Sequence, residues 1–318
     1  ANGLPEEYVK ILAQSLTGSR QILKRTAVVS RMPGDDVLFQ YVNMYFLIQV
    51  RAFFSVLELV KKHRRQLQTV YETLGFIDAM QSVASYRAGS KPGSICTPRL
   101  VVAECSLRIE QATHPLLEDA VPNSLHLDYA QAGGSGIIIT GSNMSGKSTF
   151  LRTVGVNALL AQTLYTCTAA SYRGGFFRLL TAIGRSDNLI AGKSYYLVEA
   201  EMIRRIVLTA SEEPPALCII DEMFRGTNAP ERIAASLEVL RYLAGSRCCV
   251  LAATHDLEVP RMLQSQYQCN HFSENLSDDG LTFDYSLKPG ISEQRNAIRL
   301  LGYLGYPKSI VDKAANVA

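Results

Sequence analysis

The sequence predicts an α/β fold, a mostly parallel sheet flanked by helices, preceded by an all-α segment. Three observations predict it. The apolar runs "GIIIT" (136–140), "ALCIID" (216–221) and "CCVLAAT" (248–254) have the length and texture of strands buried on both faces. Helical patterns at 147–162, 197–210 and 230–244 separate these runs, the alternation that builds parallel sheets. Before residue 95, strand signals are few and apolar residues recur at helical spacing.

At 318 residues the chain suits one large domain plus a smaller one, and we place these at 96–318 and 1–95. No proline occurs between Pro33 and Pro92. From Val42 to Ala88, Ile48, Phe53, Val56, Val60, Leu67, Val70, Leu74, Ile77 and Met80 keep a helical period, which predicts one long helix or two stacked ones. Leu57, Val60, Leu67 and Leu74 fit a seam for neighbouring helices. The run "KKHRRQ" (61–66) reads as a solvated helix face, with a nucleic-acid-facing patch as the alternative. The apolar stretch "MYFLIQVRAFFSVLELV" carries Gln49, Arg51 and Glu58, which argues against a membrane span. "RAGSKPGSICTPR" (87–99) has the Gly, Ser and Pro content of a linker. After it, "LVVAECSLRIEQA" (100–112) predicts a pair of strands.

Hydrophobic residues make up 47% and charged ones 19%, so a sizeable core can form. The net charge of +3 permits nucleic-acid contact without arguing for it. Seven cysteines, none in a CxxC pair, read as reduced core thiols in a cytoplasmic protein. No secretory signal opens the chain, and it does not begin with Met, as expected of a processed or excised piece.

Chemistry enters after the "GIIIT" strand. Gly141, Ser142, Asn143, Met144, Ser145, Gly146, Lys147 and Ser148 satisfy G-x-x-x-x-G-K-[ST], with a strand before and a helix after. Glycines permit a tight turn whose N–H groups point at phosphate oxygens, and the helix adds the positive end of its dipole. Lys147 would bridge the β- and γ-phosphates of ATP, and the Ser148 hydroxyl would ligate Mg2+. "LCIIDE" then supplies an apolar strand ending in acids. Asp221 would hold Mg2+ directly or through water, and Glu222 would polarise the attacking water. "LAATH" places His255 at the end of a third strand, within reach of the γ-phosphate.

These residues resemble the MutS family of DNA mismatch-repair ATPases, a branch of the ABC-type P-loop ATPases. "TGSNMSGKSTFLR" is similar to the family's TGPNMGGKST, "DEMFRGT" (221–227) to its DEIGRGT, and "ATH" to its third strand. "GRSDNLIAGKSYYLVE" (184–199) resembles its signature segment, "EQATHPLLE" (110–118) its lead-in, and "LGYLGYPKSIVDKA" (301–314) its C-terminal dimerising helices. The likeness covers roughly residues 66–314. It implies that Asn143, Gly146, Lys147, Ser148 and Thr149 bind triphosphate and Mg2+, that Asp221 and Glu222 are the metal-holding and water-activating acids, and that His255 lies on the γ-phosphate side. It also implies a homodimer in which Ser194 completes the partner's site, His271 lies near the adenine, and Val121 with Pro122 packs on the base. A phosphate loop alone leaves one side of the γ-phosphate open, and a second subunit's helix N-terminus at Gly192 and Ser194 would close it.

The sequence also departs from the family pattern. Ser142 stands where proline is usual, Ser145 where Gly or Ala is, and Phe224 where glycine is. "NAPER" follows the "GT", and Asp256 replaces a common aromatic. Nothing resembles the mismatch-reading domain with its Phe-x-Glu wedge, or the connector domain. The first 95 residues would hold only the base of a helical lever, in the C-terminal part of a longer protein or in a short branch member with another target. The expected function is a dimeric ATPase whose cycle drives clamping of mismatched or branched DNA, alongside repair-protein partners. The alternative is a nucleotide-gated interaction module with slow hydrolysis, acting on a protein, ribosome or membrane-associated assembly.

Overall fold

The computed structural model describes residues 6–30, 37–102, 104–129, 136–142, 144–184, 195–277, 280–292, 301, 303 and 305–317. The chain divides into two compact units, Ala1–Gly89 and Ser90–Ala318.

In the first unit the helices are α1 (Glu6–Ser30), α2 (Val37–Phe46), α3 (Ile48–Lys62) and α4 (Arg64–Gly89). Residues 42–88 therefore form parts of three helices, not the one or two that the apolar period predicts. Leu47 makes the first break by adopting a left-handed conformation, φ 48°. Asn43 explains it locally, since its side-chain oxygen accepts the Gln49 N–H at 2.8 Å and so supplies a partner at the start of α3. The bend between α2 and α3 is 64°. His63 makes the second break, so the basic run spans a helix junction. α1 packs on α4, where the rings of Tyr8 and Phe76 stack at 5.2 Å. No single described helix is long and apolar enough to cross a membrane, although the bent pair α2–α3 reaches that length and composition together.

The second unit holds β1 (Arg99–Leu100), β2 (Ser106–Ala112), β3 (Asn123–Asp128), β4 (Gly136–Thr140), α5 (Lys147–Thr163), β5 (Ser171–Gly174), β6 (Arg178–Ala182) and α6 (Tyr195–Thr209). It continues with β7 (Ala216–Asp221), α7 (Ala229–Ala244), β8 (Cys248–Ala253), α8 (Glu258–Leu263), β9 (Gln268–Ser277), β10 (Gly280–Pro289) and α9 (Lys308–Val317). A small sheet runs β1-β5-β2-β3. The expected pairing within 100–112 is not made, because β5 inserts between β1 and β2. Gly175 permits that insertion: a Cβ there would lie 1.9 Å from the Glu104 carbonyl oxygen.

The larger sheet runs β10-β9-β4-β8-β7-β6. Every neighbouring pair from β9 to β6 is parallel, and β10 closes the edge antiparallel to β9. The three apolar runs become its central strands, β4, β8 and β7, because both faces are covered. Ile137, Ile139, Leu217, Ile219 and Leu251 meet Leu151, Val154 and Ala158 of α5 on one face. Ile138, Cys218, Ile220 and Val250 meet Ile203 and Ile206 of α6 and Leu240 of α7 on the other. Residue-by-residue alternation along each strand thus feeds two separate cores. It also aligns the carboxyl ends of β4, β8 and β7 side by side, the position where ligands bind in open sheets of this kind.

Candidate functional site

The loop after β4 turns into α5 through two glycines. Gly141 has φ 144°, and a Cβ there would lie 2.8 Å from both the Phe272 carbonyl oxygen and the Ser145 hydroxyl. Gly146, at φ 106°, caps α5 without a side chain, leaving the first helical N–H groups uncovered. Ser142 anchors the loop sideways, its hydroxyl donating to the Glu274 carboxylate on β9. Met144 is 84% exposed at the loop's tip, while Ser145 is buried beneath it.

Lys147, the first residue of α5, is buried. Its ammonium donates to the carbonyls of Gly141 at 2.7 Å and Ser142 at 2.8 Å. Burial pushes its pKa down, while the carboxylates of Glu222 and Asp221 oppose that shift. One residue on, Ser148 Oγ donates to Asp221 Oδ2 at 2.6 Å. Asp221 Oδ1 is buried with no hydrogen-bond partner among the described residues.

Glu222 follows β7 in a left-handed conformation, φ 52°, pinned by its N–H to the Ala253 carbonyl at 2.9 Å. Its carboxylate lies 3.1 Å from His255 Nδ1, 2.5 Å from the Arg225 guanidinium and 3.7 Å from Lys147 Nζ. Burial alone would raise its pKa, but these three partners together hold it below the usual carboxylate range. His255 sits beyond β8 and is itself flanked by Asp256, which Arg232 of α7 clamps with two hydrogen bonds of 2.7 and 2.8 Å.

These groups border a cavity of about 660 Å3. Ser142, Met144, Gly146, Lys147, Ser148 and Thr149 line one end, with Glu222 and Arg225 beside them. Val121, Asn123 and Tyr285 of β10 form another part of the wall, where a Cβ on Gly146 would lie 3.2 Å from the Tyr285 ring. Asn123 fixes that part: its amide donates to the Tyr285 carbonyl at 2.9 Å and accepts the Leu287 N–H at 2.7 Å, across the irregular step in β10. The volume suits a ligand the size of a nucleotide.

Most sequence-predicted residues come together here. Gly141, Ser145, Asp221 and His255 do not line the cavity, although Asp221 is linked to it through Ser148 and His255 through Glu222. His271 also does not line the cavity. It sits on β9 opposite Lys288, its Nδ1 3.2 Å from the Gly290 carbonyl, and the neighbouring Phe272 lines the wall instead. Asn143 and Ser194 lie outside the described residues. Arg225, Asn123, Tyr285 and Phe272 were not expected. Only Arg225, inside "DEMFRGT", carried a readable signal: a cation three residues from the acid it neutralises.

Residues 137–318 match the family model described as MutS domain V. Among curated relatives, the DNA mismatch repair protein MutS of Thermotoga maritima is 29% identical over 278 residues, covering 85% of this chain and 34% of the relative. The protein of the same name from Thermus thermophilus is 32% identical over 212 residues, 65% of this chain and 25% of the relative. DNA mismatch repair protein MutS 2 of Halobacterium salinarum is 27% identical over 278 residues, 84% of this chain and 31% of the relative. The chain thus spans about a third of the length of these relatives or less.

Proposed function

The chain belongs to the MutS family, and from that premise we propose that it is a Mg2+-dependent P-loop ATPase of the ABC type. The observation that carries the reading is the meeting of Lys147, the Ser148–Asp221 pair and Glu222 at one cavity. ATP enters with its phosphates at the loop 141–149 and its base toward Val121. Lys147 exchanges the carbonyls of Gly141 and Ser142 for phosphate oxygens. Ser148 and Asp221 fit a hard divalent cation, because they offer a hydroxyl and a buried carboxylate oxygen without a donor. Mg2+, when bound, neutralises phosphate charge as it builds.

Glu222 takes the proton of the attacking water as the water oxygen bonds to the γ-phosphorus. The bond from the γ-phosphorus to the bridging oxygen breaks, giving ADP and phosphate. His255 holds Glu222 in place at 3.1 Å. ATP turnover tests the reading. Glu222→Ala should lower kcat by about a hundredfold or more while nucleotide still binds, and equal turnover would remove Glu222 from the mechanism.

Homodimerisation through the ATPase domain, with Ser194 acting on the partner's nucleotide, is part of this proposal. So is DNA as the partner, which rests on the relatives' names. Binding of duplex, mismatched and branched DNA across a salt series checks it. Affinity should fall steeply with salt, by roughly one decade per decade of salt for each phosphate contacted.

A second reading is a nucleotide-gated interaction module with slow hydrolysis, whose target is a protein, ribosome or membrane-associated assembly. One observation favours it. The Glu222 carboxylate is held by Arg225, His255 and Lys147 at once, which makes it a weak base until those contacts loosen. Tight ATP binding with turnover too slow to follow, and no salt-sensitive DNA affinity, would decide for it.

A further inference from the structure

Helix α6 rests its first turns on the loop that carries Glu222. The ring of Tyr196 lies 6.3 Å from that of Phe224, and a Cβ on Gly226 would come within 2.9 Å of the Tyr196 Cβ. One turn further along α6, Glu199 Oε1 accepts the Phe224 N–H at 2.5 Å. Glu199 is partly buried, and its second oxygen has no hydrogen-bond partner among the described residues. Burial pushes its carboxyl above the usual range. A carboxylate placed there costs solvation free energy, which the backbone N–H of Phe224 partly offsets.

The loop it touches needs holding. Glu222 and Phe224 both have positive φ, 52° and 59°, although neither is glycine. Residues with a Cβ persist in that conformation only where their surroundings impose it. Phe224 is buried, so the ring cannot swing out to relieve the backbone. Glu199 and Asp221 also line a second, small cavity of about 20 Å3, so Glu199 lies near the start of the loop as well as at Phe224.

We propose that Glu199 is a positioning residue for the reaction: its hydrogen bond to the Phe224 N–H holds the strained 221–227 turn in the form that presents Glu222 to the cavity. The inference deepens the ATPase reading and rests on it. It also ties the catalytic acid to helix α6.

Three variants of the chain test this. Glu199→Gln keeps an oxygen acceptor at the same reach. Glu199→Asp keeps the charge but is one methylene too short, and Glu199→Ala removes the group. The alanine and aspartate variants should lose about tenfold or more in kcat with nucleotide affinity within about twofold of wild type. The glutamine variant should retain most of the turnover. Should alanine fail to fold, aspartate carries the comparison. Wild-type kcat in the aspartate variant, a parallel loss of affinity and turnover, or glutamine as impaired as alanine would each overturn the proposal. Amide exchange of residues 221–227 separates it from the ATPase reading. If the wild type has no turnover, that reading fails alone. The latch then stands on exchange that is about tenfold faster in the aspartate variant than in glutamine, and falls if the two are equal.

Discussion

A Cβ on Gly141 would lie 2.8 Å from the backbone oxygen of Phe272, which has no freedom to withdraw from its place in β9. The φ of 144° at this glycine is closed to other residues as well. Gly141→Ala should therefore cost about 1–3 kcal/mol of stability and displace the loop from the form proposed to bind phosphate. Thermal melting and ATP binding check this together, and an unchanged affinity would show that the loop tolerates the shift. The side chains around Glu222 follow another logic, that of charge. Arg225, His255 and Lys147 surround one carboxylate, and none of them is close to all the others in sequence. Lys147, Glu222 and His255 were legible because each ends a strand or opens a helix in a recognisable motif. Asn123 and Tyr285 were not, because they meet only through the irregular step in β10, which no local pattern announces.

At the scale of elements, β4, β7 and β8 were legible in full. Burial on both faces forces a continuous apolar run, and few other structures demand one. Helices α5, α6 and α7 followed within two residues of their expected ends. β6 and β9 join the same sheet but were not singled out. The charge of Arg178 and the polar Asn270 and Ser273 break the run that a central strand would show. The breaks at Leu47 and His63 escaped for a different reason: neither Gly nor Pro marks them. Leu251, fully buried at the centre of β8, bears on the sheet as a unit. Leu251→Ala should lower unfolding stability by about 2–5 kcal/mol, read from the urea midpoint. A loss below about 1 kcal/mol would mean that α5 and the strand collapse into the space.

At the scale of the molecule, the proposed nucleotide site has its acids and its lysine on one chain. The proposed dimer adds a serine from another. Ser194→Ala should abolish ATP-dependent dimerisation, followed by sedimentation velocity, while nucleotide binding to the single chain persists. Retained ATP-driven association would count against a shared site. Lys147 shows what the fold as a whole has already done for that association. Its ammonium was stripped of water when α5 closed on the sheet, and it rests on two loop carbonyls instead. On the proposed reading, an arriving phosphate meets a cation already positioned at the cavity wall, and takes the place of those two carbonyls. If ATP is the ligand proposed above, folding has already placed the cation that receives it, and the free energy of capture would be available to draw in the second subunit of the proposed dimer.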